Sequence, residues 1–128
     1  MASKPDISSR EDIILMVNTF YEHVQKDAEL DHVFNGVAKI DWETHLPKMY
    51  DFWESIIFKN AVYKGNPMRL HKQLHGIQHL TPSMFETWLG LFILNLDNLF
   101  EGPHAFEAKT RAKSIATMIQ LKTVFTNR

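Results

Sequence analysis

His71 is the residue whose type and position are best suited to chemistry in this chain. Residues 65–67, Gly-Asn-Pro, predict a helix start just before it, because Asn is a good N-cap residue and Pro is well tolerated in the first turn. The apolar Leu70 and Leu74 lie beside it, so its imidazole shares a helix face with hydrophobic side chains. An imidazole in such a place is either a core residue with a satisfied hydrogen bond or a metal ligand. His71 alone does not decide between them.

His75 and His79 follow His71 at four-residue steps, so three imidazoles could stack on one helix face and bind zinc. This alternative is weak, because Gly76 is unfavourable inside a helix and Lys72 follows His71 where a zinc-binding HExxH motif has Glu. The chain also contains no cysteine that could complete a zinc site. We therefore expect His75 and His79 to face solvent.

Three further residues place a hydrogen-bonding tip on helix faces that are otherwise apolar: Tyr21, His45 and Trp88. Each one alone is more simply explained as an aromatic core residue or as a residue at the rim. If the helices bring all three to one side of a cavity and His71 to the other, the cavity has one strong ligand and three hydrogen-bonding groups in an apolar lining. Haem, a flat apolar cofactor with iron at its centre, would use every part of such a cavity. The phenol and indole would then stabilise partial negative charge on bound O₂.

Four segments with apolar residues at three- and four-residue steps must position these side chains, together with the helix that carries His71. The segments run from Ser8 or Ser9 to about Lys26, from Asp41 to about residue 58, from Thr81-Pro82 to Phe100, and from about Ala105 to Phe125. Pro47 should loosen the first turns of the second segment and affect how His45 is presented. Residues 27–38 are expected to form a turn and short helical pieces, which Gly36 interrupts. The predicted class is all-α, with five main helices and short connections.

The composition is that of an ordinary globular protein, because 128 residues with 45% hydrophobic and 23% charged side chains suffice for one core. We assign residues 1–7 to a polar N-terminal arm and residues 8–128 to a single domain. The formal net charge of -1, with no block of basic residues, argues against a nucleic-acid surface. With no cysteine and no apolar segment long enough for a signal peptide or a membrane span, the chain is expected to be cytoplasmic.

Short motifs occur along the chain in a specific order. They are Phe20-Tyr21, Val33-Phe34, Trp42-x-x-His45, Phe52-Trp53, Tyr63-x-Gly65-x-Pro67 followed by His71, Phe85-x-x-Trp88-Leu89-x-Leu91-Phe92, and Gly102 and Ala105 before Arg111-Ala112. In this order and combination they resemble the truncated haemoglobins of group III, also called P-type. The resemblance covers residues 17–118, which is nearly the whole chain.

The resemblance implies a truncated globin fold, a two-over-two helical sandwich around haem b. It makes His71 the proximal iron ligand, Tyr21 and Trp88 distal hydrogen-bond donors, and His45 the distal or gate residue. The other residues expected to contact haem are Phe34, Leu46, Met49, Phe52, Tyr63, Phe92 and, as a propionate partner by its charge, Arg69. The segment that follows His71 is a little longer than in the most compact relatives, so His75 is kept as an alternative proximal ligand.

The resemblance also implies a haem protein that binds O₂ and related diatomic ligands, NO and CO. Several hydrogen-bond donors beside the ligand should slow its escape, which suits chemistry on the ligand better than oxygen transport. We therefore expect a role in the detoxification of NO or reactive oxygen species, or peroxidase-like chemistry, with electrons from an unidentified reductase. Two alternatives remain open: a haem-based sensor or binding module without turnover, and a globin-like domain without haem. The inward polar tips argue against the second, because burying them without partners is costly.

Overall fold

The computed structural model of the chain describes residues 4–37, 39, 41–59 and 81–126, and for Val37 and residues 119–126 it describes the backbone alone. The elements in these ranges are α1 (Arg10–Lys26), α2 (Ala28–Asp31), a π-helix (His32–Val37), α3 (Trp42–Phe58), α4 (Pro82–Leu99) and α5 (Pro103–Thr126). All of them are helical, which confirms the predicted all-α class. Among these described helices, none combines the length and the apolar character that a membrane span requires. The helix predicted around His71 lies outside the described residues.

Local signals in the sequence set the start of α1. The Ser9 hydroxyl accepts a hydrogen bond from the Asp12 backbone N–H at 3.3 Å, which satisfies one of the free donors of the first turn. The Asp12 carboxylate accepts in turn from the Ser8 backbone N–H at 2.9 Å, so the helix starts at the serines where it was predicted to start. One face of the helix is buried, and it consists of Ile13, Met16, Val17, Phe20, Tyr21 and Val24. This spacing brings Tyr21 into the core.

The chain between α1 and α3 is more regular than predicted. The Asp27 carboxylate accepts a hydrogen bond from the Leu30 backbone N–H at 3.1 Å and so caps α2. The π-helix then runs through Gly36, so the prediction that Gly36 interrupts this segment was wrong. Val33 and Phe34 are buried, as expected. Short π-helices are rare and are often found at functional sites.

α3 starts at the predicted position. Asp41 occupies its N-cap position, and the Thr44 hydroxyl donates to the Asp41 carboxylate at 2.9 Å. The helix continues through Pro47, and Lys59 ends it in the left-handed conformation, with φ of 57°. The buried residues of α3 are His45, Met49, Trp53, Glu54 and Ile57.

α4 and α5 form the second half of the molecule. The Thr81 hydroxyl accepts from the Met84 backbone N–H at 3.2 Å, and Pro82 occupies the first helical position, as predicted. Gly102, with φ of +138°, separates α4 from α5, which begins at Pro103 rather than at Ala105. Among the described side chains of α5, the buried ones are Ala105, Ala108, Ala112 and Ala116. Their small side chains allow close packing against the neighbouring helices.

The four long helices form two packed pairs. α1 packs against α3 and α4 packs against α5, and the pairs meet through contacts of α1 with α4 and of α3 with α5. This is the predicted two-over-two arrangement. The Asn95 amide donates to the Met16 carbonyl at 3.0 Å between α4 and α1. The Arg10 guanidinium lies 2.9 Å from Asp51 and 3.5 Å from Glu54, which gives the buried Glu54 carboxylate a cationic partner.

The N-terminal segment is attached to the start of α5. The Asp6 carboxylate accepts hydrogen bonds from the backbone N–H groups of His104 at 3.0 Å and Ala105 at 2.9 Å, in the first turn of α5 where a negative charge is favoured. Burial acts to raise the pKa of Asp6, but these backbone hydrogen bonds and the charge of His104 lower it overall. The side chain of Ile7 is fully buried in the core. The Pro5 carbonyl also accepts from the Glu101 backbone N–H at 3.0 Å, so the arm predicted for residues 1–7 is held against the domain through Pro5, Asp6 and Ile7.

Candidate functional site

Tyr21 of α1 and His45 of α3 meet inside the helical sandwich. The Tyr21 hydroxyl lies 3.4 Å from His45 Nε2, which is long for a hydrogen bond, and the two rings are 5.8 Å apart in an edge-to-face arrangement. Both side chains are buried, with 4% of Tyr21 and 6% of His45 exposed. Which group donates depends on the imidazole tautomer. His45 therefore points into the core in this structure rather than into solvent.

Burial keeps both members of this pair neutral at pH 7. Removal from water lowers the pKa of His45 to about 4, and the nearby positive charge of Lys48 acts in the same direction. Burial also raises the pKa of the Tyr21 phenol, so the hydroxyl keeps its proton. The pair thus offers a neutral phenol and a neutral imidazole, which can donate and accept hydrogen bonds without carrying charge.

Trp88 of α4 contributes a buried donor that has no partner. Among the described residues, its Nε1–H is a buried side-chain group without a hydrogen-bond acceptor. The ring packs edge-on against Phe20 at 5.6 Å and stacks on Phe92 at 6.2 Å. Leaving a buried donor unpaired costs about 1–3 kcal/mol, so such a group requires an explanation. A ligand that enters beside the indole and accepts this hydrogen bond would provide one.

Phe20 connects Trp88 to the buried pair. Its ring centroid lies 5.0 Å from that of Tyr21 and 5.6 Å from that of Trp88, so both polar side chains contact the same phenylalanine. Tyr21 and Trp88 come from opposite helix pairs, and the sequence alone could not show that they share a neighbour. The structure therefore brings the three predicted distal residues into one region: Tyr21 and His45 in direct contact, and Trp88 through Phe20.

Apolar residues surround these three side chains. Phe34, Met49 and Phe92 are buried, whereas Leu46 and Phe52 are half-buried and pack against the core. Phe92 stacks between Trp88 and Trp53, whose ring centroid lies 5.0 Å away. These positions agree with the predicted phase of each helix. Contact of the five residues with haem stays a prediction. Three other predicted site residues, His71, Tyr63 and Arg69, lie outside the described residues, as does the alternative ligand His75.

Trp42 belongs to the same group of side chains, although it is not among the predicted site residues. Its ring centroid lies 4.8 Å from that of Tyr21, 5.8 Å from that of His45 and 6.4 Å from that of Phe34. Its Nε1–H donates to the Asn35 side-chain carbonyl at 2.7 Å. Its spacing could have predicted this, because Trp42 precedes His45 by three residues and so lies on the same face of α3.

The chemistry of the described side chains fits a small neutral ligand held among apolar residues. A neutral phenol, a neutral imidazole and an unpaired indole N–H can donate to an electron-rich diatomic molecule. In the described ranges, no three His, Cys, Asp or Glu side chains cluster as they would around a metal ion held by side chains alone. The described side chains therefore fit the hydrogen-bonding side of a haem pocket.

Comparison with known proteins identifies the kind of protein to which this chain is similar. The sequence profile of the family described as "Bacterial-like globin" matches residues 6–124. The chain is 30% identical over 115 residues to the group 3 truncated hemoglobin ctb of Campylobacter jejuni, with 88% of both chains covered. The crystal structure of a group III truncated hemoglobin from Campylobacter jejuni superposes with a TM-score of 0.73 at 28% identity, covering 94% of each chain.

Proposed function

From the premise that the chain belongs to the bacterial-like globin family, and within it to the group III truncated haemoglobins, we propose that it holds haem b and uses the bound diatomic ligand for chemistry. Haem and diatomic ligand binding follow from the family. We also propose that the protein detoxifies NO or reactive oxygen species, with electrons from an external reductase, rather than delivering oxygen. We further propose that it works in the cytoplasm.

The unpaired Nε1–H of Trp88 is the observation that carries this proposal. A buried donor without a partner is tolerated where its acceptor arrives with a ligand. Haem would supply the iron to which a diatomic ligand attaches. His71 is the proposed iron ligand. The other proposed haem contacts are Phe34, Leu46, Met49, Phe52, Tyr63, Phe92 and the propionate partner Arg69.

Trp88 and Tyr21 would hold the ligand from one side of the pocket. The indole N–H can donate to it directly, and the phenol can donate either to it or to His45, because the 3.4 Å contact with Nε2 is weak enough to exchange. One hydrogen bond to a charged acceptor contributes about 1.5–3 kcal/mol, which corresponds to slower ligand escape by roughly 10- to 100-fold. Such retention opposes oxygen delivery and gives a second reactant time to reach the ligand. The neutral, buried His45 would border the ligand without adding charge.

The iron ligand is tested by visible spectra of the ferric, reduced and CO-bound protein. We expect His71→Gly to disrupt a globin-like spectrum and added imidazole to restore it, because free imidazole can occupy the space left by the side chain. His75→Gly is the matched control and should leave the spectrum unchanged. If His75→Gly has the effect expected of His71→Gly, the ligand assignment is wrong. If the parent takes up no haem, the proposed function is wrong.

The proposed chemistry is tested by rapid mixing of the O₂-bound protein with NO. We expect nitrate to form much faster than with free haem in the same buffer, and the O₂-bound spectrum to return when a reductant and O₂ are supplied. Nitrate formation no faster than that of free haem would reject NO detoxification as the function.

A further inference from the structure

Trp42 covers the buried Tyr21–His45 pair at the start of α3. Its ring contacts both members of the pair, at centroid distances of 4.8 Å and 5.8 Å, and it also contacts Phe34. Tyr21 and His45 are buried, whereas Trp42 is only half-buried, so the indole forms part of the boundary between the pair and solvent. Displacement of this ring would expose the pair.

Two side chains near the π-helix hold the Trp42 ring in this position. The Trp42 Nε1–H donates to the Asn35 side-chain carbonyl at 2.7 Å, and the Asn35 side-chain amide donates to the Asp31 carboxylate at 2.6 Å. Both ends of the Asn35 amide are therefore used, which fixes its orientation. We refer to these three residues, Asp31, Asn35 and Trp42, as the latch. Asn35 is exposed, so water can replace its bond to Trp42 at low cost.

The latch joins only side chains and does not bond to the backbone groups that start α3. Asp41 already occupies the N-cap position, and the Thr44 hydroxyl donates to its carboxylate at 2.9 Å. The bond between Asn35 and Trp42 instead joins the π-helix to a ring that contacts the distal pair. Its effect is thus on the position of the indole above Tyr21 and His45.

We propose that Trp42 is a positioning residue: held by Asn35, its ring closes the solvent side of the Tyr21–His45 pair, and its release opens a path for small ligands and water. The ligand-binding part of this proposal rests on the proposed haem function. The closed state is favoured by the ring contacts of Trp42 and by its exposed neutral hydrogen bond to Asn35, and that bond is the part that water can replace. Loss of that bond should increase the open population by about 2- to 10-fold, the factor that one such bond contributes.

The test compares the parent with Asn35→Ala, Trp42→Phe and the double variant. Trp42→Phe keeps an aromatic ring but lacks the N–H, and Thr44→Ala is the matched control, because it removes a hydrogen bond at the same helix start without touching the latch. The first readout is the CO association rate after flash photolysis of the haem protein. The second is the hydrogen exchange of the Trp42 indole N–H, observed by NMR in the protein as purified.

We expect each single variant to raise the CO association rate by about 2- to 10-fold. The double variant should not exceed the larger of the two single effects, because all three variants lose the same bond, and Thr44→Ala should match the parent. Unchanged CO rates in both single variants, or effects that multiply in the double variant, would overturn the latch. If the parent binds no haem, the proposed function fails and indole exchange decides the latch separately. The latch is supported if the Trp42 indole N–H is protected from hydrogen exchange in the parent and in Thr44→Ala but not in Asn35→Ala. It is overturned if the indole N–H of the parent is unprotected.

Discussion

Replacing Trp88 with Phe tests its hydrogen-bond donor separately from the packing of its aromatic ring. The variant loses the unpaired N–H but keeps a ring that can stack on Phe92 and meet Phe20 edge-on. Without a diatomic ligand, the parent bears the cost of the unpaired donor, about 1–3 kcal/mol. The smaller ring loses packing on the order of 1–3 kcal/mol. Because these effects oppose each other, we expect the free energy of unfolding to change by no more than about 2 kcal/mol.

With O₂ bound, the same substitution removes a hydrogen bond to an acceptor that carries partial charge. Such a bond contributes about 1.5–3 kcal/mol, so the O₂ dissociation rate of Trp88→Phe should exceed that of the parent by about 10- to 100-fold. Stopped-flow displacement of O₂ by CO measures this rate. Urea unfolding of the ferric protein without added ligand measures stability.

Trp53→Phe is the matched control for this experiment. Trp53 is also buried and also stacks on Phe92, at 5.0 Å, but its N–H is not among the unpaired buried groups of the described residues. This control should lose stability without a comparable rise in O₂ dissociation. If Trp88→Phe keeps the O₂ dissociation rate within about twofold of the parent and loses more than about 2 kcal/mol of stability, Trp88 acts only in packing and the distal donor role is refuted.

Two further predictions concern stability. Because the pKa of His45 falls from 6.5 to about 4 on folding, the unfolded chain binds more protons between these values, and stability should fall as the pH decreases through this window, by about 2–3 kcal/mol at about pH 4.5. His45→Gln should reduce this loss in urea unfolding, while the exposed His32→Gln should not. Gly102→Ala should destabilise the fold by about 1–3 kcal/mol, because φ is +138° and a Cβ would lie 2.7 Å from Asp6 Cγ. Gly90→Ala should instead stabilise it by about 0.5–1 kcal/mol, because Gly90 lies within α4 and an added Cβ meets nothing within 4 Å; equal signs for the two variants would contradict this reasoning.

Helix starts and helix faces were predictable because their signals are local. Ser9 and Thr81 cap helices through hydrogen bonds to residues three positions later, and the apolar spacing of α1, α3 and α4 gives the buried faces directly. The π-helix was not predicted, since Gly36 normally signals an interruption and here the chain continues helically through it. The early start of α5 was also missed, because its first turn is capped by Asp6 from the distant N-terminal segment.

The sequence by itself determined the helical class, the family and the identities of Tyr21, His45 and Trp88 as candidate distal residues, because periodicity and motif order are properties of the chain alone. Only the tertiary structure decided how these side chains meet. It placed the Tyr21 hydroxyl beside His45 and left the Trp88 N–H without a partner in the described residues. It also brought the Trp42 ring into contact with the pair and into a hydrogen bond with Asn35. These relations depend on distances between different helices. Residues far apart in sequence acquire such distances only when the hydrophobic faces pack together, so no local pattern can specify them.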